Sequence, residues 1–268
     1  MSKNLHKSYY RDYFKDNGRY IDFSYLADKN PKEPKSVKDA IKRNNDNLCS
    51  SNLLYIIPEN PLVSHKVELT TLYPGLVTGV GISHEAKIEG EFKLGVHFDW
   101  TYGMPVIYGS SVKGVLRNYF KDFCNDVIKD RTYETDVLER FENDIFGNNE
   151  KKGKWKVADK SIYKRDIFFD AVIVKADKKG RILCSDSITP HGGENHDNPL
   201  VNPTPLTFMK IAPGCKIEFR FKLVDSIVKD KDGKEYKLSA DEKREIFKEI
   251  LTTVGVGAKT NVGYGQLK

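Results

Sequence analysis

Two stretches of this chain carry the residue types that grip phosphates. One is "GSSVKGVLR", where Ser110, Ser111, Lys113 and Arg117 follow Gly109; the other is "GVGAKTNVGYGQLK", where Gly257, Lys259, Thr260, Asn261, Gly263 and Tyr264 crowd one short loop. Backbone N–H groups at a helix start bind anions, and glycines let a backbone approach a ligand closely. Lys113 and Arg117 lie four apart, on one face of the first turns of a helix. Either set also fits a duller reading: a capped helix with cations facing water, and a terminal turn. In the closing loop Lys259 to Asn261 are the expected contacts, Tyr264 stacks or packs, and Gly255 reads as a helix C-cap.

A nucleotide-binding loop is not expected. Ala258 separates Gly257 from Lys259, which breaks the Gly-Lys-Ser/Thr end of a P-loop. No strand-helix-strand unit follows the loop to hold a dinucleotide. Either the loop is a terminal turn, or it contacts a ligand held by the rest of the protein.

The six histidines offer a possible general base at His84, His97 or His191, but a lone histidine is more often surface or hydrogen-bonded than catalytic. His191 to His196 is too glycine-rich to predict zinc. The four cysteines, Cys49, Cys124, Cys184 and Cys215, form no C-x-x-C pair, so no metal or cofactor is expected. Lys151, Lys152, Lys154, Lys156, Lys160, Lys164 and Arg165 cluster with Trp155 and Tyr163 between them. Such a run is a solvated loop or a contact for single-stranded nucleic acid.

The 268 residues suffice for a real core, and 31% charged against 39% hydrophobic residues describes a globular protein with a charged surface. The net charge of +6 is only a weak pointer to a polyanion. Apolar runs are too short to span a bilayer and the first residues lack a signal-peptide core, so a cytoplasmic location is expected.

The elements that must position these residues follow from periodicity. Residues 1–60 read as an N-terminal extension with one short helix capped by Ser36. Val67 and Leu69 alternate with polar residues in a strand. Val112, Leu116, Phe120, Cys124 and their neighbours make a continuous helical stripe, capped by Ser110 or Ser111. "TDVLERFENDIF" is a second helix ending at Gly147. "DIFFDAVIVKA" and "GRILCSD" are expected to pair across "DKKG", and Ile217, Phe219 and Phe221 to form a strand with one wet face. "KDKDGKEYK" is a hairpin turn, and Ser239 with Glu242 is a capping box for a last helix. The order predicts an α+β protein with helices on an antiparallel sheet.

Three stretches together resemble the RAMP superfamily of CRISPR systems. They are "YGMPVIYGSSVKGVLR", in which Tyr108 departs from the family's second proline, then "SDSITPHGG" with "NPTPLTFMKI", and last "VGVGAKTNVGYGQLK". The segment Asp186 to His191, with Asn202-Pro203-x-Pro205, is most similar to the Cmr subunit six family of type III-B complexes. Type III-A sister subunits share the first and third motifs but not the second. The resemblance implies a ferredoxin-like (RRM-like) RAMP core over residues 61–268, with a basic insertion near 147–166. It implies an RNA-binding structural subunit of an antiviral effector complex, holding the guide RNA backbone near its 3′ end. Its implied partners are guide RNA and target RNA, the main backbone subunit, Cmr subunit one and the small helical subunit. The alternative from the same superfamily is a metal-independent endoribonuclease.

Overall fold

The computed structural model describes residues 4–29, 32–53, 56–79, 88–92, 95–147, 164–189 and 205–268. The helices are α1 (Leu5–Tyr10), α2 (Lys35–Cys49), α3 (Gly109–Val127), α4 (Thr135–Phe146) and α5 (Ala240–Val254). The first strands are β1 (Lys15–Asp16), β2 (Arg19–Tyr20), β3 (His65–Thr70), β4 (Val106–Ile107), β5 (Ile167–Phe168) and β6 (Ala171–Lys175). There follow β7 (Leu183–Ile188), β8 (Leu206–Ile211), β9 (Lys216–Lys222), β10 (Ser226–Lys229) and β11 (Glu235–Leu238).

The main sheet is antiparallel throughout. β3 pairs with β9, β9 with β6, and β6 with β4, while β5 continues the β6 line along β9. The last residues complete it: Leu267 bridges Thr71, and Thr70 and Lys268 exchange both backbone bonds at 2.7 and 3.0 Å. The spatial order is therefore terminal segment, β3, β9, β6, with α3 crossing between β3 and β6 and α5 between β9 and the terminus. That is the split βαβ pair of a ferredoxin-like fold.

Helices α3, α4 and α5 cover one face of the main sheet, while α2 packs on β7. Val67, Leu69, Ile217, Phe219 and Phe221 point into the core, and Phe247 of α5 packs against Phe168 and Phe221 at 5.7 and 5.6 Å between ring centres. Phe146 of α4 stacks on Phe168 at 5.4 Å. Leu5, Tyr9 and Tyr13 of the N-terminal region join the same core, where Tyr9 donates to the Phe92 carbonyl at 3.1 Å.

Several expectations need correction. β6 and β7 do not pair; β7 pairs with β8 in a separate hairpin, although "DKKG" does turn the chain. The polar face of β9 is not wet: Glu218 and Arg220 are buried under residues 56–59. Arg220 donates there to Glu218 and to the carbonyls of Pro58 and Ile57. Ser36 does not cap α2, whose N-cap is Pro34. The hairpin β10–β11, the Ser239–Glu242 capping box and the Gly147 stop are as expected. Among the described residues no helix is long and apolar enough to cross a membrane.

Candidate nucleic-acid interface

The closing loop is clamped to the protein through its glycines. A Cβ on Gly257 would lie 2.3 Å from the Val77 carbonyl oxygen, and one on Gly265 2.0 Å from that of Val256. Ala258 donates to Val77 at 2.8 Å and Gly265 to Gly75 at 2.9 Å. These glycines are needed for close approach of the chain to itself. Gly263, at φ +91°, closes a short turn over Thr260–Val262 and has more open surroundings. Tyr264 packs rather than presenting a stacking ring. It is 7% exposed, meets Phe208 edge-on at 5.8 Å, and donates its hydroxyl to Asp186 at 2.7 Å.

Asp186, from the second motif, thereby holds the third. It also accepts from the buried Lys210 ammonium, whose charge lies under the Tyr264 ring, and from the Ser187 amide. Burial pushes the Asp186 carboxyl up, but these three donors outweigh it and hold it below the usual carboxylate range. Burial first, then Asp186, raises the Tyr264 phenol. Tyr264 is uncharged at any physiological pH.

Lys259 is different. It sits at φ 63°, ψ 30°, and among the described residues only it and Asn17 have positive φ without being glycine. A lysine in the left-handed region costs roughly 1–2 kcal/mol. No carboxylate pairs with it among the described residues, and Asn261 beside it is exposed. The loop thus keeps a strained, unpaired cation at its surface.

At the other stretch the helix is as expected, but its cap is not Ser110 or Ser111. Both lie inside the first turn, and the Gly109 amide is taken by Asp170 Oδ1 at 2.7 Å. Asp170 projects from the break between β5 and β6, and Gly109 lets the helix press on Phe168, whose carbonyl oxygen would be 2.3 Å from a Cβ. A protein carboxylate therefore fills part of the anion seat expected there. Arg117 does not face water freely: its Nε donates to Glu142 Oε1 at 3.0 Å, tying α3 to α4, and Lys121 shares that carboxylate. Lys113 has no ion-pair partner among the described residues. Burial first, then Arg117 and Arg165, lowers its pKa. Its ammonium lies 5.9 Å from the Phe168 ring centre. Asp170 gave no local signal in the sequence, because its partner is on another element; Arg165 was visible only as one of a run of cations.

A path of contacts joins the two stretches. Ala258 bridges Val77, the Thr78 hydroxyl accepts from the His97 amide at 2.6 Å, and the His97 ring stacks on Tyr108 at 4.5 Å, directly before α3. His97 is half-buried and its pKa is lowered by that burial, so it is neutral at pH 7. No carboxylate pairs with its imidazole among the described residues. His84, His191, most of the basic stretch 147–166 and the Asn202-Pro203 segment lie outside the described residues.

Comparison with known proteins adds the lineage. The family described as "RAMP superfamily" matches residues 68–268. A curated relative, the "CRISPR system CMR subunit Cmr6" of Saccharolobus solfataricus, is 28% identical over 199 residues, 74% of this chain. The chain spans about half of that relative, 55% of its length. Among solved structures, a chain of "Type III-B Cmr-beta bound to cognate target RNA" superposes with a TM-score of 0.51 at 23% identity, covering 88% of this chain and 66% of that one. Cmr6 from Pyrococcus furiosus is more remote, with a TM-score of 0.40 at 21% identity over 78% of this chain and 98% of that one. The match over residues 68–268 takes in α3, α4 and α5, most of the main sheet and both candidate stretches, and this chain belongs to the RAMP superfamily.

Proposed function

We propose that this chain is an RNA-binding structural subunit of a type III-B CRISPR effector complex, and that it holds the guide RNA backbone near its 3′ end. The observation that carries this is Lys259, a cation with no carboxylate partner among the described residues, held in a strained backbone conformation on a loop that glycines weld to the sheet. A backbone phosphate is the ligand that such a cation fits. Thr260 and Asn261 would reach a ribose or a second phosphate oxygen, and Lys113 a neighbouring phosphate. Support also comes from the 28% identity to a Cmr6 and from a structural neighbour whose particle is bound to target RNA. The partners proposed are guide RNA and target RNA, the main backbone subunit, Cmr subunit one and the small helical subunit.

The test is Lys259→Gly, because glycine suits the left-handed conformation better than lysine does. The variant should melt no lower than the parent. Its affinity for single-stranded RNA should fall about equally across sequences, since phosphates carry no base identity. The slope of log K against log salt should flatten by roughly 0.7. A well-folded variant with unaltered affinity and slope sinks the reading.

A further inference from the structure

Trp100 is 71% exposed, an uncommon state for the largest apolar side chain. Its backbone is nonetheless held firmly. Asp99 Oδ1 accepts the Thr101 and Tyr102 amides at 2.9 and 2.6 Å, the Asp99 amide donates to Met104, and Phe98 bridges Pro105. The indole is also buttressed from behind. His6 of α1 lies 4.3 Å from it, ring centre to ring centre, and Tyr10 lies 4.6 Å behind His6. The core reaches the base of this ladder, where Tyr10 meets the buried Phe98 edge-on. Burial lowers the His6 pKa against the pull of Asp99, so the ladder is three neutral rings at pH 7. Among the described residues, His6 is the indole's only ring partner.

We infer that Trp100 is a stacking platform for an unpaired base of the bound RNA; this rests on the RNA-binding reading and adds a contact to it. A rigid aromatic with an open face stacks any base, because every base has a π-face. The placement favours RNA. His97, at the foot of the same hairpin, belongs to the path that joins Lys259 to α3, and three residues of extended chain span only about 10 Å. Asp99 Oδ1 is consumed by the turn, while Lys7, which also meets Asp12 at 3.9 Å, and Arg11, the C-cap of α1, are exposed. On this reading, an RNA strand whose phosphates meet Lys113 and Lys259 lays one of its bases on the indole.

The chain has two tryptophans, so Trp155→Phe leaves Trp100 as the sole indole emitter in the full-length protein. The probe is a mixed-sequence single-stranded RNA of about 12 nucleotides, within known site sizes. Inorganic polyphosphate serves as the base-free control. RNA should quench the emission and polyphosphate should not. Adding Trp100→Ala should weaken RNA binding about 5- to 150-fold without changing the salt slope, and Trp100→Phe should retain most of the affinity. RNA that binds by anisotropy of a labelled strand yet leaves the emission untouched overturns the inference and spares the proposed function. Absence of RNA binding overturns both. Emission insensitive to RNA that shifts blue on adding another effector subunit assigns the indole to a protein neighbour, and overturns the inference likewise.

Discussion

Asp186 shows how much one carboxylate can organise. It takes the Tyr264 hydroxyl on one side and the Lys210 ammonium on the other, and Lys210 has only 7% of its side chain exposed. Asp186→Asn keeps the shape but leaves that ammonium without its counter-charge, which should cost about 1–3 kcal/mol at pH 7. The folded-state pKa of Asp186 lies below its unfolded value, so its contribution is complete above the ordinary carboxylate pKa of about 4 and is lost as pH falls through the folded value. The stability gap between parent and Asp186→Asn should accordingly narrow from pH 7 to pH 3 in urea titrations. An equal gap at both values would show that the ion pair contributes nothing. Lys259 illustrates the opposite case, in which strain is retained with no carboxylate among the described residues to offset it. Its presence was plain in the sequence, but its left-handed backbone was not, because a lysine carries no signal for that conformation.

Among the elements, α5 carries the most consequential buried charge. Lys243 is fully buried, donating to Asp166 at 2.6 Å and to the Val224 carbonyl at 2.7 Å. Burial raises the Asp166 pKa against the pull of Lys243. Lys243→Met leaves a buried carboxylate unpaired and should cost roughly 3–5 kcal/mol, while adding Asp166→Asn should recover much of it. Denaturant melts of the single and double variants decide this, and a double variant as unstable as the single one refutes it. What could be read in advance divides along the same line between local and distant. The α5 capping box and the α3 stripe were legible because all their partners lie within a few residues. The α3 cap was not, since Asp170 is 61 residues from Gly109. Alternation told which side of β9 faces the helices, but not that residues 56–59 cover the other. It likewise gave no means of choosing β8 over β6 as the partner of β7, because a hydrophobic pattern specifies a face and not a neighbour. The candidate site follows the same rule: its residue types were visible, while the clamping of Tyr264 and the pairing of Arg117 with Glu142 required the fold.

At the scale of the whole molecule, the site depends on a sheet whose outer strand is formed last in the chain. The closing loop hangs between Gly255, at the end of α5, and residues 266–268, which pair with β3 and the turn beyond it. Leu267 is 2% exposed and pins that strand into the core. The strand has few backbone bonds of its own, so this one side chain supplies much of what keeps the loop seated. Leu267→Ala should therefore destabilise the fold by about 2–5 kcal/mol, the range for a buried leucine that leaves a cavity. The loss should also be local before it is global. Hydrogen-exchange protection should fall together at Thr70, Leu72, Gly265 and Lys268, whose amides bond across the two segments. RNA affinity should fall with it while the salt slope keeps its value, because Lys259 is still present but no longer held in place. If Lys268 loses protection while Thr70 and Leu72 keep theirs, the terminal segment is a tail laid on a sheet complete without it, and the positioning of Lys259 must come from the Val77 and Gly75 contacts alone.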